Sequence, residues 1–99
     1  MYARVTRYRA KDGAANVAAQ MRARVEQEFY PQFLVNARGF RGYFIVELDN
    51  NEIVSFSLWN EKVAAEQNVV HADQYVRERM TDLLDETLQS CTGEVFFAR

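Results

Sequence analysis

The residues able to do chemistry are few and scattered. Trp59 shares a strand parity with Ile53, Ser55 and Ser57, so an indole N–H and two hydroxyls alternate along one otherwise apolar surface. Such a surface suits a pocket wall that offers donors to a bound oxygen, and it equally suits a packing tryptophan beside two small residues. Tyr75 and Arg79 stand four residues apart in a helical pattern, which places a phenol and a fixed cation on one face, able to hold a phenolate or carboxylate. The same segment alternates Arg77 and Arg79 with Glu78, Asp82, Asp85 and Glu86, so a solvated charged face is the competing reading. Arg4 shares a strand face with Tyr2, Thr6 and Tyr8, and parity leaves open whether that face meets helices or a partner. His71 is the only histidine, so any imidazole base or haem ligand must be this residue, and the pattern puts it at an exposed junction between helical segments.

Other chemistries fail on inventory. One histidine and one cysteine, Cys91, twenty residues apart and without paired carboxylates, make no metal coordination set. No Ser-His-Asp arrangement or phosphate-binding glycine loop is present, and Cys91 reads as a small buried residue near a helix end. Twelve basic against fourteen acidic residues give a net charge of -2, without the basic field that nucleic acid or an anionic membrane requires. The run Arg41-Gly42-Tyr43-Phe44-Ile45-Val46-Glu47-Leu48 imitates an RNA-recognition motif, but it falls on the second strand where that module carries it on the third. A lone cysteine and a start, MYARVTRYRAKDG, with no apolar run of signal or membrane length predict a cytoplasmic protein.

The elements that must position these residues follow from periodicity. Ninety-nine residues, 48 % of them apolar, suffice for a single domain over 1–99 that buries about two-thirds of its unfolded surface. YARVTRY predicts a first strand, ended by Asp12-Gly13, with Asp12 as the cap of a helix. Ala14, Ala18, Met21, Val25 and Phe29 form that helix's apolar stripe, which Pro31 should kink or interrupt near Tyr30, leaving a last turn over 32–37. Gly39 predicts a left-handed stop, and FRGYFIVELD a strand with Phe40, Phe44, Val46 and Leu48 on one face and Tyr43 and Ile45 on the other. Asn50-Asn51 predicts a two-residue turn into the strand EIVSFSLW. Asn60 is placed to cap a short helix over 61–68, and a second helical pattern runs through Ala72, Val76, Met80, Leu83, Leu84 and Leu88 until Gly93 ends it. GEVFFA reads as a closing strand.

The order is β-α-β-β-α-β, an α+β ferredoxin-like fold with a four-stranded antiparallel sheet and two helices on one face. Two helices cover one sheet face only, while Tyr43, Ile45, Val54, Phe56, Leu58 and Phe96 leave neither face content in water. A homodimer with its sheets face to face is the expected remedy.

Placed between two helical segments, GFRGYFIVELDNNEIVSFSLWNEKVAAEQ resembles the antibiotic-biosynthesis-monooxygenase-like family of dimeric α+β barrels, most recognisably in Gly39-Phe40-Arg41-Gly42-Tyr43 and Ser57-Leu58-Trp59. That resemblance implies a pocket between sheet and helices in each subunit, with Trp59 on its wall, and a homodimer that binds a small apolar, aromatic or lipid-like molecule. It also implies a candidate activity, cofactor-independent monooxygenation of a phenol or quinol. Trp59, Arg79 and Tyr75 are then the catalytic candidates, and Ser55, Ser57, Trp59, Tyr75, Arg79 and Arg4 the substrate-binding ones. Some oxygenases of the family carry asparagine where this chain has Ser55. The haem-degrading members want a first-strand asparagine where this chain offers Arg4, Thr6 and Tyr8, so haem is disfavoured and no cofactor is expected. The alternative is a non-enzymatic dimeric binding or structural protein.

Overall fold

The computed structural model describes all 99 residues. Its elements are β1 (Tyr2–Ala10), α1 (Val17–Arg24), a π-helical continuation (Val25–Leu34), β2 (Phe40–Glu47), β3 (Glu52–Trp59), α2 (Lys62–Arg79) and β4 (Leu84–Glu94). The strands form one antiparallel sheet in the order β2-β3-β1-β4, and the predicted β-α-β-β-α-β order holds.

The parity of β1 and β3 settles which sheet face meets the helices. Thr6, Tyr8, Ile53, Ser57 and Trp59 are all buried beneath them, so their neighbours in alternation, Val54, Phe56 and Leu58, face the other way. On β2 the predicted alternation needs one correction. A bulge at Arg41 pairs Phe40 with Trp59 but Gly42 with Leu58, and this extra residue shifts Phe40 to the helix side, beside Tyr43 and Ile45. Phe44 and Val46 remain on the open face, 49 % and 38 % exposed, with Phe44 stacked on Phe56 at 4.6 Å between ring centroids.

Helix starts and stops differ from their sequence signals. Asp12 does not cap α1: Gly13 (φ 81°) and Asn16 (φ 53°) both turn left-handed, and the helix begins only at Val17. Pro31 interrupts nothing, because it lies inside the π-helical segment, whose wider turn removes the usual clash of the proline ring with the carbonyl four residues back. The Val35 amide closes that wider turn on the Tyr30 carbonyl, five residues earlier, at 2.9 Å. The β2–β3 turn is closed by Leu48 N–H donating to Glu52 O at 2.8 Å around three residues, with Asn51 at φ 66° taking the left-handed position. Gly39 does take the expected positive φ, and a Cβ there would meet that of Ala64 at 3.4 Å.

The largest correction concerns the C-terminal half. The two predicted helical segments are one helix, α2, of eighteen residues, with Glu61 and not Asn60 at its cap position. Asn60 is held instead by Gly39 O (2.8 Å) and by the Arg41 guanidinium (3.2 Å). Leu83 and Leu84 are not helical: both amides fold back onto Met80 O at 3.0 and 2.9 Å, and Leu84 opens β4, which also contains Leu88, Cys91 and Gly93. Local spacing favoured a helix there, but the ladder along β1 satisfies every second backbone group of this segment and prevails. Cys91 is therefore exposed on a strand, not buried at a helix end. The expected closing strand over 93–98 is absent beyond Glu94, and Phe96 and Phe97 are exposed. No helix is long and apolar enough to cross a membrane.

Candidate functional site

Between the inner sheet face and the helices lies a cavity of about 50 Å³. β1 contributes Arg4, Thr6 and Tyr8 to it, β3 contributes Ser55 and Ser57, and α2 closes it with Ala72, Asp73 and Tyr75 among others. At this size it holds roughly three or four water molecules. A wall formed by Met21, Val25 and Tyr43 separates it from a groove of about 570 Å³ that runs between α1 and the edge strand β2.

Arg4 is the only cation on the cavity wall. Its guanidinium donates to Thr92 Oγ1 at 2.9 Å and to Ser90 Oγ at 2.5 Å, and Thr6 Oγ1 lies 3.1 Å from the same Ser90 oxygen. Its Nε is buried without any partner. No carboxylate touches it, so a charged donor group lines the cavity with hydroxyls alone as partners. Tyr8 and Tyr43 share Ser55 as a hydrogen-bonding neighbour, and burial pushes both phenols above the usual range, against the smaller opposing effect of Ser55. The negative charge of Asp73 adds to the shift of Tyr8, and the positive charge of Arg4 subtracts from it.

The structure brings together Arg4, Ser55, Ser57 and Tyr75 of the expected site residues, and it places Trp59 and Arg79 elsewhere. Trp59 is 1 % exposed, packed edge-on against Phe40 at 5.5 Å, with its Nε1 donating to Ser57 Oγ at 2.8 Å. Its indole donor is thus spent on a neighbour and is not on the cavity wall. Tyr75 presents its ring to the cavity, but its hydroxyl points outward and donates to Glu28 Oε1 at 2.6 Å. Arg79 binds the same carboxylate at 2.8 Å. Glu28 therefore occupies the anion position expected for a ligand. Burial and then this hydrogen bond push the Tyr75 phenol up to about 12, while the Tyr75 and Arg79 donors hold Glu28 below the usual carboxylate range. His71 is in the middle of α2, not at a junction, and stacks on Phe33 at 4.9 Å outside the cavity.

Sequence reasoning missed Tyr43, Asp73 and Ser90. Strand parity carried the signal for Thr6 and Tyr8 beside Arg4, whereas Ser90 was hidden in a segment with helical spacing, and Asp73 needed the orientation of α2.

No family model and no curated protein matches the sequence. Solved structures do match the fold. A candidate antibiotic biosynthesis monooxygenase from Bordetella bronchiseptica superposes with a TM-score of 0.67 at 19 % identity, covering 97 % of this chain and 97 % of that one. The chain has the antibiotic-biosynthesis-monooxygenase-like fold. A dimeric ferredoxin-like protein from an uncultured marine organism shares it at a TM-score of 0.70 and 14 % identity, over 100 % of both chains. An MhuD variant with two manganese protoporphyrin IX molecules bound per active site shares it at 0.73 and 12 %, over 100 % of this chain and 98 % of that one.

The MhuD structure corrects the expectation of a site without cofactor, from which haem was set aside. The monooxygenase-like fold does accommodate metalloporphyrins. In this chain the one histidine, His71, lies off the cavity wall, and burial holds the wall's Tyr8 and Tyr43 away from the deprotonated form that iron binds.

Proposed function

We propose that this chain is a homodimeric small-molecule-binding protein whose ligand sits between sheet and helices and directs an anionic oxygen at Arg4. The observation that carries this reading is the guanidinium with a buried, unpartnered Nε and only hydroxyls around it. A half-buried cation with hydroxyl partners and no carboxylate gains from an anionic ligand, which adds attraction between opposite charges to the hydrogen bond. Apolar neighbours such as Val69, Val76 and Phe29 suit an aromatic or lipid-like body. Seating an aromatic ring requires a wall such as Met21–Val25–Tyr43 to yield, since the cavity is far smaller than such a ring needs.

The finer reading is monooxygenation of a phenolic substrate, supported by the name of the Bordetella relative in fold. Arg4 would stabilise the phenolate, whose electron density is what reacts with oxygen. A non-enzymatic binder is the second reading, favoured by Trp59 and Arg79 being committed to Ser57 and Glu28. For the dimer, the open face with its Phe44–Phe56 stack is the apolar surface a second copy would cover.

Native mass spectrometry tests subunit count and retained ligand together. The expected result is a dimer carrying extra mass that Arg4→Met loses, and oxygen uptake with the released compound then separates enzyme from binder. A monomer would overturn the dimer, and a ligand retained undiminished by Arg4→Met would overturn the site.

A further inference from the structure

Asp73 is a carboxylate on the wall of the same cavity as Arg4, contributed by α2 from the side opposite the sheet. Acidic groups beside the helices and at the ends of the sheet are in part paired, Glu28 with Arg79, Asp82 with Arg24, Glu52 with Arg7 and Glu86 with Arg9, but none of these lines the cavity. Asp73 makes no ion pair and no side-chain hydrogen bond, and it does not reach Arg4. The phenol of Tyr8 lies within the influence of both, raised by one and lowered by the other. One small cavity thus presents two opposite charges that do not pair with each other, Arg4 on the sheet and the solvent-accessible Asp73 on the helix, among apolar side chains such as Val69 and Val76.

Resting on the proposed binding site, we infer that its ligand is bipolar: an anionic oxygen meets the Arg4 guanidinium, and a hydrogen-bond donor, hydroxyl or amine, at the far end of an apolar body meets the Asp73 carboxylate. The charges are held apart by the sheet and helix layers, so a molecule that spans them satisfies both, whereas a monopolar acid leaves Asp73 to water. Asp73 then sets specificity, and Arg4 sets affinity for the acid end. A hydrogen bond to a charged group corresponds to about a tenfold to hundredfold difference in affinity.

The test is titration of the full chain with benzoate, para-hydroxybenzoate and para-aminomethylbenzoate, followed by NMR shifts of the cavity residues. The two donor-bearing acids should bind at least about tenfold more tightly than benzoate, and Asp73→Asn should bring them down to benzoate's affinity. Preference for the amine alone would assign a cationic donor, and equal preference a neutral one; both support the inference. Equal binding of all three acids by the wild type, or an Asp73→Asn variant that keeps the preference, overturns the bipolar ligand while leaving the anion site standing. Failure of all three to bind, or binding that survives in Arg4→Met, overturns the anion site and the bipolar ligand together. Circular dichroism of Asp73→Asn checks the fold, which an exposed helix position should preserve.

Discussion

The cavity beneath α2 and the groove beside β2 share three wall residues, Met21, Val25 and Tyr43, yet hold about 50 and about 570 Å³. The cavity has the recognition chemistry, with an unneutralised arginine, an unpaired carboxylate and a set of hydroxyls. The groove has the room, but its two arginines are already engaged, Arg22 with Glu26 at 3.0 Å and Arg41 with Asn60 at 3.2 Å. Chemistry and volume therefore lie on opposite sides of one thin partition. A ligand-sized site needs both, and movement of three side chains would join them without altering the sheet.

The strongest way to break this division is Met21→Ala. Met21 is 4 % exposed, and truncating it should cost about 2–5 kcal/mol in a denaturant titration. The opened partition should also admit benzene, detectable by NMR; a small loss with no benzene binding would mean that the cavity and groove are not separated by this residue.

A smaller effect sharpens the comparison by showing what lies outside both regions. Trp59→Phe removes the donor to Ser57 Oγ and should lower stability by about 1 kcal/mol while leaving ligand affinity unchanged. Weakened binding at undiminished stability would return the indole to the site.

The mildest perturbation is acid. The Arg24 guanidinium beside Asp82 holds that carboxyl at about 2, and Glu28 is lowered in the same direction by Tyr75 and Arg79. Carboxyls whose folded pKa lies below the unfolded value near 4 contribute stability at higher pH, which is lost as pH falls from about 4 towards 2. Thermal melts across that window should show a falling Tm, and Asp82→Asn should flatten the fall. Both groups bridge the segments that roof the cavity, so this acid limb reports on the roof and not on the groove. An unchanged slope in Asp82→Asn would remove the Arg24 pair from that role.

Parts of the fold and site were legible because short-range rules dominate there. Alternation in Tyr2–Ala10 and Glu52–Trp59 assigned Arg4, Ser55 and Ser57 to consistent faces, and both faces proved to meet the helices. Reading failed where two local patterns compete. Met80, Leu83, Leu84 and Leu88 have helical spacing, yet the ladder with β1 claims the inward-facing backbone groups of 84–94. The bulge at Arg41 is a single-residue change of phase with no composition signal of its own, and it reversed the side on which Phe40 lies.

By itself the sequence determined the element order, the hairpin from β2 to β3 and the grouping of Arg4 with Thr6 and Tyr8, because side-chain periodicity and turn chemistry act over a few residues. Tertiary structure alone decided that Trp59 spends its donor on Ser57, that Glu28 claims Tyr75 and Arg79, and that Asp73 faces Arg4 across a cavity. Those outcomes depend on how helix and sheet layers face each other, and that geometry is set by long-range packing, which no local spacing encodes.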